Sequence, residues 1–215
     1  MGFFGKKAYS GINKDTTKHI QLDAGAFFKN FDPATDTYAS AKAAGKCLGA
    51  TQGGGEFSAV PTLRTIDVDG AVGRVKGLTD IDIWEVTIGA TVLETTVETL
   101  KLALAAATSE TSSTPAKYTV IKGKSGISDD DYIENIAWVG NISGSDSPMV
   151  IVVKNVLNEG GLSYSMTPKG EGKVALKFYA YNALADYEND TVAPPFEIYY
   201  PDIAADGSSV STTKE

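Results

Sequence analysis

Few side chains in this 215-residue sequence could carry out chemistry, and none stands beside a partner for it. His19 is the lone histidine and lies in a Lys-rich stretch, whereas a hydrolytic triad needs a base positioned to deprotonate a nucleophile. Cys47 is the lone cysteine, so it has no CxxC partner and no intrachain disulfide can form. Gly123-Lys124-Ser125 has the look of a P-loop ending, but the glycine required five residues earlier is Tyr118. Gly53-Gly54-Gly55 could offer backbone amides to an anion, yet no helix follows to complete such a cradle, and a flexible loop or close strand crossing explains it better.

Carboxylates recur as Asp129-Asp130-Asp131, Asp67 with Asp69, and Asp80 with Asp82. A calcium loop alternates oxygen ligands over about a dozen residues and closes on Glu, and none of these groups continues that way. Solvated turns and a polar strand face account for them, so neither a metal nor a cofactor is expected. Tyr179, Tyr181, Tyr199 and Tyr200 could build a sugar-stacking platform, although aromatic residues in strands more often pack in cores or interfaces. With no coherent set of acid, base and nucleophile, the expectation is a protein that is not an enzyme.

What remains is the framework. Abundant Val, Ile, Thr, Tyr and Phe favour strands, and the length suits one large β domain. The net charge of −8 is the wrong sign for a protein that grips nucleic-acid phosphates. The N-terminus lacks the apolar segment of a signal peptide, and no apolar run is long enough to cross a bilayer, so no membrane partner is expected and folding in a cytoplasm is the simple reading.

Residues 1–19 read as an N-terminal arm, residues 30–50 as a long loop with a little helix, and residues 204–215 as a flexible C-terminal tail, with the domain spanning 1–203. Asp69-Gly70 lies between Leu63, Ile66 and Val68 on one side and Val72 and Val75 on the other, the pattern of a tight hairpin. Ile81 to Leu93 read as a long strand with a bulge near Trp84 and Glu85. Thr95-Thr96-Val97-Glu98 matches a capping box opening a helix over residues 95–107, whose Val97, Leu100, Leu104 and Ala107 share a face. Further strands are expected at Tyr118–Ile121, Ile133–Ile142, Met149–Val156, Leu162–Thr167, Val174–Tyr181 and Phe196–Tyr200. The fold class is mainly β, a sandwich or barrel with one flanking helix.

Three segments then carry a resemblance: GAFFKNF, CLGATQGGGEFSAVPTLRTIDVDGAVGRVKG and DIDIWEVTIGATVLETTVETLKLAL, joined in the second half by NVLNEGGLSYSMTPKGEGKVALKFYAYN and APPFEIYYP. In this order of a Gly-rich segment, strands, a DG turn, a long strand and a helix, the chain resembles the major tail protein, or tail tube protein, of long-tailed bacteriophages infecting Gram-positive bacteria. The resemblance implies a tail-tube-type β-sandwich with extended terminal arms, six copies to a ring, and rings stacked into a channel for double-stranded DNA. It implies residence in the virion after assembly in the host cytoplasm, with the tape measure protein and tail terminator or tip proteins as partners. The N-terminal arm, the 30–50 loop and the segment after Pro201 would make the contacts between rings. An acidic chain suits a conduit that must not hold phosphates, and Asp67, Asp69, Asp80, Asp82 and Glu85 are the candidate lumen-facing acids. The nearest alternatives are a tube subunit of a contractile tail, a phage-derived bacteriocin or a secretion system; a carbohydrate- or surface-binding β-sandwich is an alternative of another class.

Overall fold

The computed structural model describes residues 10–165 and 168–203, so the expected tail at 204–215 and the first nine residues of the expected arm lie outside the described residues. The fold is mainly β and antiparallel. In chain order the elements are β1 (Gln21–Lys29), α1 (Tyr38–Ala43), β2 (Thr51–Thr65), β3 (Thr79–Val92), α2 (Val97–Ala103), β4 (Ala107–Thr111), β5 (Thr119–Gly123), β6 (Ile133–Ile142), β7 (Met149–Asn158), β8 (Tyr164–Ser165), β9 (Lys173–Ala180), α3 (Leu184–Glu188) and β10 (Phe196–Tyr199). The main sheet runs β1-β6-β7-β9-β3-β2; β10 adds to β7 and β8 to β9, while β4 and β5 form a separate hairpin.

Ala26–Phe28 of β1, Ile136–Val139 of β6 and Val150–Val153 of β7 are apolar without alternation, because this part of the sheet is covered on both faces. Phe27, Ile136, Trp138, Ile151 and Val153 point to a core shared with Ile88 and Val92 of β3 and Leu176 and Phe178 of β9. Their neighbours Phe28, Ala137, Val139, Val150 and Val152 point the other way, against Phe31 and Ala41. The segment 30–50 is therefore structural: Phe31, Ala41 and Leu48 are buried, Thr37 and Ser40 form a capping box at α1, and Lys46 meets Asp36 at 2.5 Å. It is the long loop with a little helix that the sequence suggests, packed down as a lid whose burial the small residues of this stretch concealed.

β7 shares one edge between two partners, β10 along Val150–Val153 and β9 along Val156–Asn158, with Asn155 in a left-handed conformation (φ 47°) between them. Asn158 is buried at the second junction, where its amide donates to the carbonyls of Leu102 and Ala103 and its oxygen accepts from Gly160 and Lys177. This ties β7, β9 and the end of α2 together, and among the described residues no buried side-chain polar atom lacks a partner.

Helix α2 is shorter than residues 95–107. Its N-cap is Thr96, whose hydroxyl accepts from the Thr99 amide at 3.0 Å, while Glu98 pairs with Lys29 of β1 instead of closing a capping box on Thr95. Ala105 turns left-handed (φ 63°) and Ala107 opens β4, so Thr99 and Ala103 are the buried helix positions and Val97 is exposed. The β4 strand was hidden by its Ser, Thr and Glu content. Ends of the described N-terminal segment are pinned as well: Ser143 Oγ donates to the Thr17 carbonyl, the Ser143 amide bonds the Ile20 carbonyl at 2.9 Å, and a short 3-10 turn spans Thr16–Lys18.

The two edge strands of the sheet, β1 and β2, come together without a hydrogen-bonded ladder between them. Gly55 permits this approach, since a Cβ there would lie 2.1 Å from the Phe27 ring. Each strand bulges beside the seam, β1 at residues 23–25 and β2 at residues 52–54, with Asp23, Gly25, Gly53 and Gly54 all at positive φ. The triple glycine is thus a bulge next to a close strand crossing.

Candidate assembly interface

β2 and β3 outgrow the domain. β9 pairs with β3 only from Thr87 to Val92, so from Ala59 and Val86 outward the two strands continue as a ribbon of two, ending at Thr65 and Thr79 and joined by residues 66–78. An aromatic cluster roots this arm in the domain: Phe196 of β10 lies 5.8 Å from Phe57 and 5.5 Å from Trp84, ring centre to ring centre.

Beyond the root, the arm is apolar where none of the described residues covers it. Val60, Leu63, Ile66, Val68, Ile81 and Ile83 are each about half exposed and Val72 fully so. A ribbon of two strands has no second layer to shield such side chains, and an exposed apolar patch of this kind is a candidate contact surface. Pro61 in the outer strand and a bulge at Asp82, where the register shifts between Thr62 and Leu63, interrupt the edge against open-ended strand addition. The contact the arm offers is therefore side-chain packing.

The DG turn falls in this arm, but differently from a tight hairpin. Asp69-Gly70 turns within the 66–78 connection, closed by Ile66 N to Leu78 O at 2.8 Å and Ala71 N to Val68 O at 3.0 Å, and Val72 and Val75 are not in strands. The bulge expected near Trp84 and Glu85 lies at Asp82 instead, since pairing runs unbroken through Trp84 opposite Pro61 and Glu85 opposite Val60.

All five candidate acids are on this projection and exposed: Asp67 and Asp69 in the connection, Asp80, Asp82 and Glu85 along β3. They interleave with the apolar residues and share the arm with Arg64, Arg74 and Lys76, so its charge is mixed. Asp80 accepts from the Ile81 amide at 2.8 Å.

The residues with chemical potential are scattered. His19 Nδ1 lies 3.0 Å from the Tyr200 hydroxyl at the surface, and Cys47 packs half-buried opposite Phe28. Asp131 is the engaged member of the Asp triplet: Lys124 and the Ser128 amide and hydroxyl hold its carboxylate down at about 2. That uses Lys124 and leaves Asp129 and Asp130 to the solvent, and among the described residues no group of three or more His, Cys, Asp or Glu is placed to hold a metal ion. The four tyrosines are divided between local contacts. Tyr181 bonds Glu159, which pushes its hydroxyl up to about 12, and stacks edge-on with Tyr132; Tyr199 bonds Glu197; Lys177 sits over Tyr179. A cleft of about 760 Å³ between α2, β4 and the Asp triplet is lined by charges of both signs together with Leu102, Tyr132, Ile133 and smaller side chains. No described helix is long and apolar enough to cross a membrane. Compared with known proteins, the chain matches no family model and no curated protein significantly.

Proposed function

We propose that this chain is a structural subunit that assembles with copies of itself into stacked rings, the tail tube of a long-tailed bacteriophage, and that the β2–β3 arm makes contacts between subunits. The observation that carries the reading is the arm itself: a rooted ribbon with Leu63, Ile66, Ile81 and Ile83 facing solvent. Burying half-exposed side chains of this size in a neighbour contributes on the order of 1 kcal/mol each, repeated at every copy of the interface. Contacts of one surface with a different surface of the next copy extend along an axis instead of closing, which is how rings become a tube.

In this reading the β2–β3 arm adds to the contacts between rings expected of the N-terminal arm, the exposed side of the 30–50 segment and the stretch after Pro201. The arm's acids and the net charge of −8 keep passing DNA from being held by counterion release. No catalytic role is assigned: His19 meets the Tyr200 hydroxyl at the open surface, and Cys47 packs opposite Phe28. Negative-stain electron microscopy of the purified protein at rising concentration tests the proposal. Rings or hollow filaments are expected; a monomer at every concentration would sink it.

A further inference from the structure

Where the two edge strands meet, the seam opens into a cleft of about 440 Å³ that nothing in the chain's described residues fills. Its floor is apolar, formed by Phe27, Phe57, Trp138, Met149 and Ile151, and its mouth carries Asp23 and Glu56; no basic side chain lines it, although Lys177 of β9 acts on Glu56 from the neighbouring cleft. The flanking bulges keep the seam from zipping shut: Trp138 Nε1 already donates to the Ala24 carbonyl at 2.8 Å, and Gln21 Nε2 to the Asp23 carbonyl at 3.1 Å. The cleft is thus a built feature of the strand ends and it has a chemical preference, for an apolar group followed by a positive charge.

One segment of the chain has that composition. Residues 1–9, which lie outside the described residues, read MGFFGKKAY, with Phe3-Phe4 two residues ahead of Lys6-Lys7 and no acid. Where the described chain begins, its bonds are local: the Ile12 amide to Ser10, the Asn13 amide to Thr16, and the Asp15 amide to Asn13, with Ile12 largely exposed. The stretch leading to the segment is therefore not tied to its own domain until Thr17 and Ile20 reach Ser143.

We infer that the seam cleft receives the N-terminal segment of a second copy, with Phe3 and Phe4 on the apolar floor and Lys6 and Lys7 against Asp23 and Glu56. This rests on the self-assembly reading above, though not on the tube form. It gives each subunit a second contact in addition to the arm, one that couples a terminal segment to the unclosed edge of the next copy's sheet. The cleft is not legible in the sequence, because it depends on two successive strands, β1 and β2, failing to pair.

A disulfide trap in the full chain tests it. In a Cys47→Ser background, Phe4→Cys is combined with Gln21→Cys at the cleft mouth and the protein is oxidised mildly. The expected result on a non-reducing gel is a ladder extending beyond dimers, whereas either single-cysteine variant stops at the dimer. Adding Asp23→Lys and Glu56→Lys to the double-cysteine variant should reduce the ladder to the level of those controls. A cyclised monomer would show the segment returning to its own cleft and would overturn the inference, as would the absence of any species beyond the controls. Microscopy of the same samples separates the two proposals: tubes without the ladder defeat this one alone, and the ladder without tubes defeats the tube reading alone.

Discussion

The β1–β6–β7 region and the β2–β3 arm are built from similar residues with opposite outcomes. In the first, Phe28, Ala137, Val139, Val150 and Val152 are buried beneath the 30–50 segment, and the alternate set is buried in the main core. In the second, Leu63, Ile66, Ile81 and Ile83 are just as apolar and remain exposed. Strand chemistry is the same in both; the difference is the number of covering layers. One region spends its apolar surface on its own stability, and the other leaves it exposed, where the proposed assembly would bury it.

The comparison breaks first at the core. Phe28→Ala should destabilise the monomer by about 3–5 kcal/mol, since it removes a fully buried ring from contact with Phe31 and Tyr38. Chemical denaturation checks this, and a loss no greater than that of an exposed residue would deny the lid its structural role. A smaller effect is expected at the turn beside β5. Asp131→Asn weakens the bonds to Lys124 and Ser128 and should cost roughly 1 kcal/mol at neutral pH. The sign follows from the carboxylate's lowered value: its contribution is present above the unfolded value of about 4 and is lost as pH falls through about 2. Acid titration of stability should therefore show the wild type losing its advantage over Asp131→Asn across that window.

How much of this was legible depends on whether a residue's neighbours in space are also set by its neighbours in sequence. The β6 strand was placed at Ile133–Ile142 and β7 and β9 to within two residues, because apolar runs bounded by GSDSP, NEGG and KGEG leave few other assignments. The capping of α2 slipped by one residue because Thr95 and Thr96 both suit an N-cap, and only the contact of Glu98 with Lys29 separates them. The 30–50 segment is a loop with a little helix, as its sequence suggests, but its packing is not legible there, since AKAAGKCLGA holds little large apolar surface and Phe31 and Leu48 are buried by strands distant in sequence. Asp69-Gly70 marked a turn correctly in place but not in kind. Val72 and Val75 have strand chemistry and no strand to pair with, and nothing local records that. The five acids could be named from sequence, whereas their gathering on one projection follows from β9 ending its cover at Thr87.

The smallest effect on monomer stability should accompany the largest effect on assembly. Ile81→Ser with Ile83→Ser changes exposed positions outside both cores, so the denaturation midpoint of the monomer should stay within about 0.5 kcal/mol of wild type. Sedimentation velocity of this variant beside the wild type, at matched rising concentration, addresses the central claim most directly. The account predicts that the wild type moves into large assemblies while the folded variant remains a monomer; equal assembly by both would contradict it.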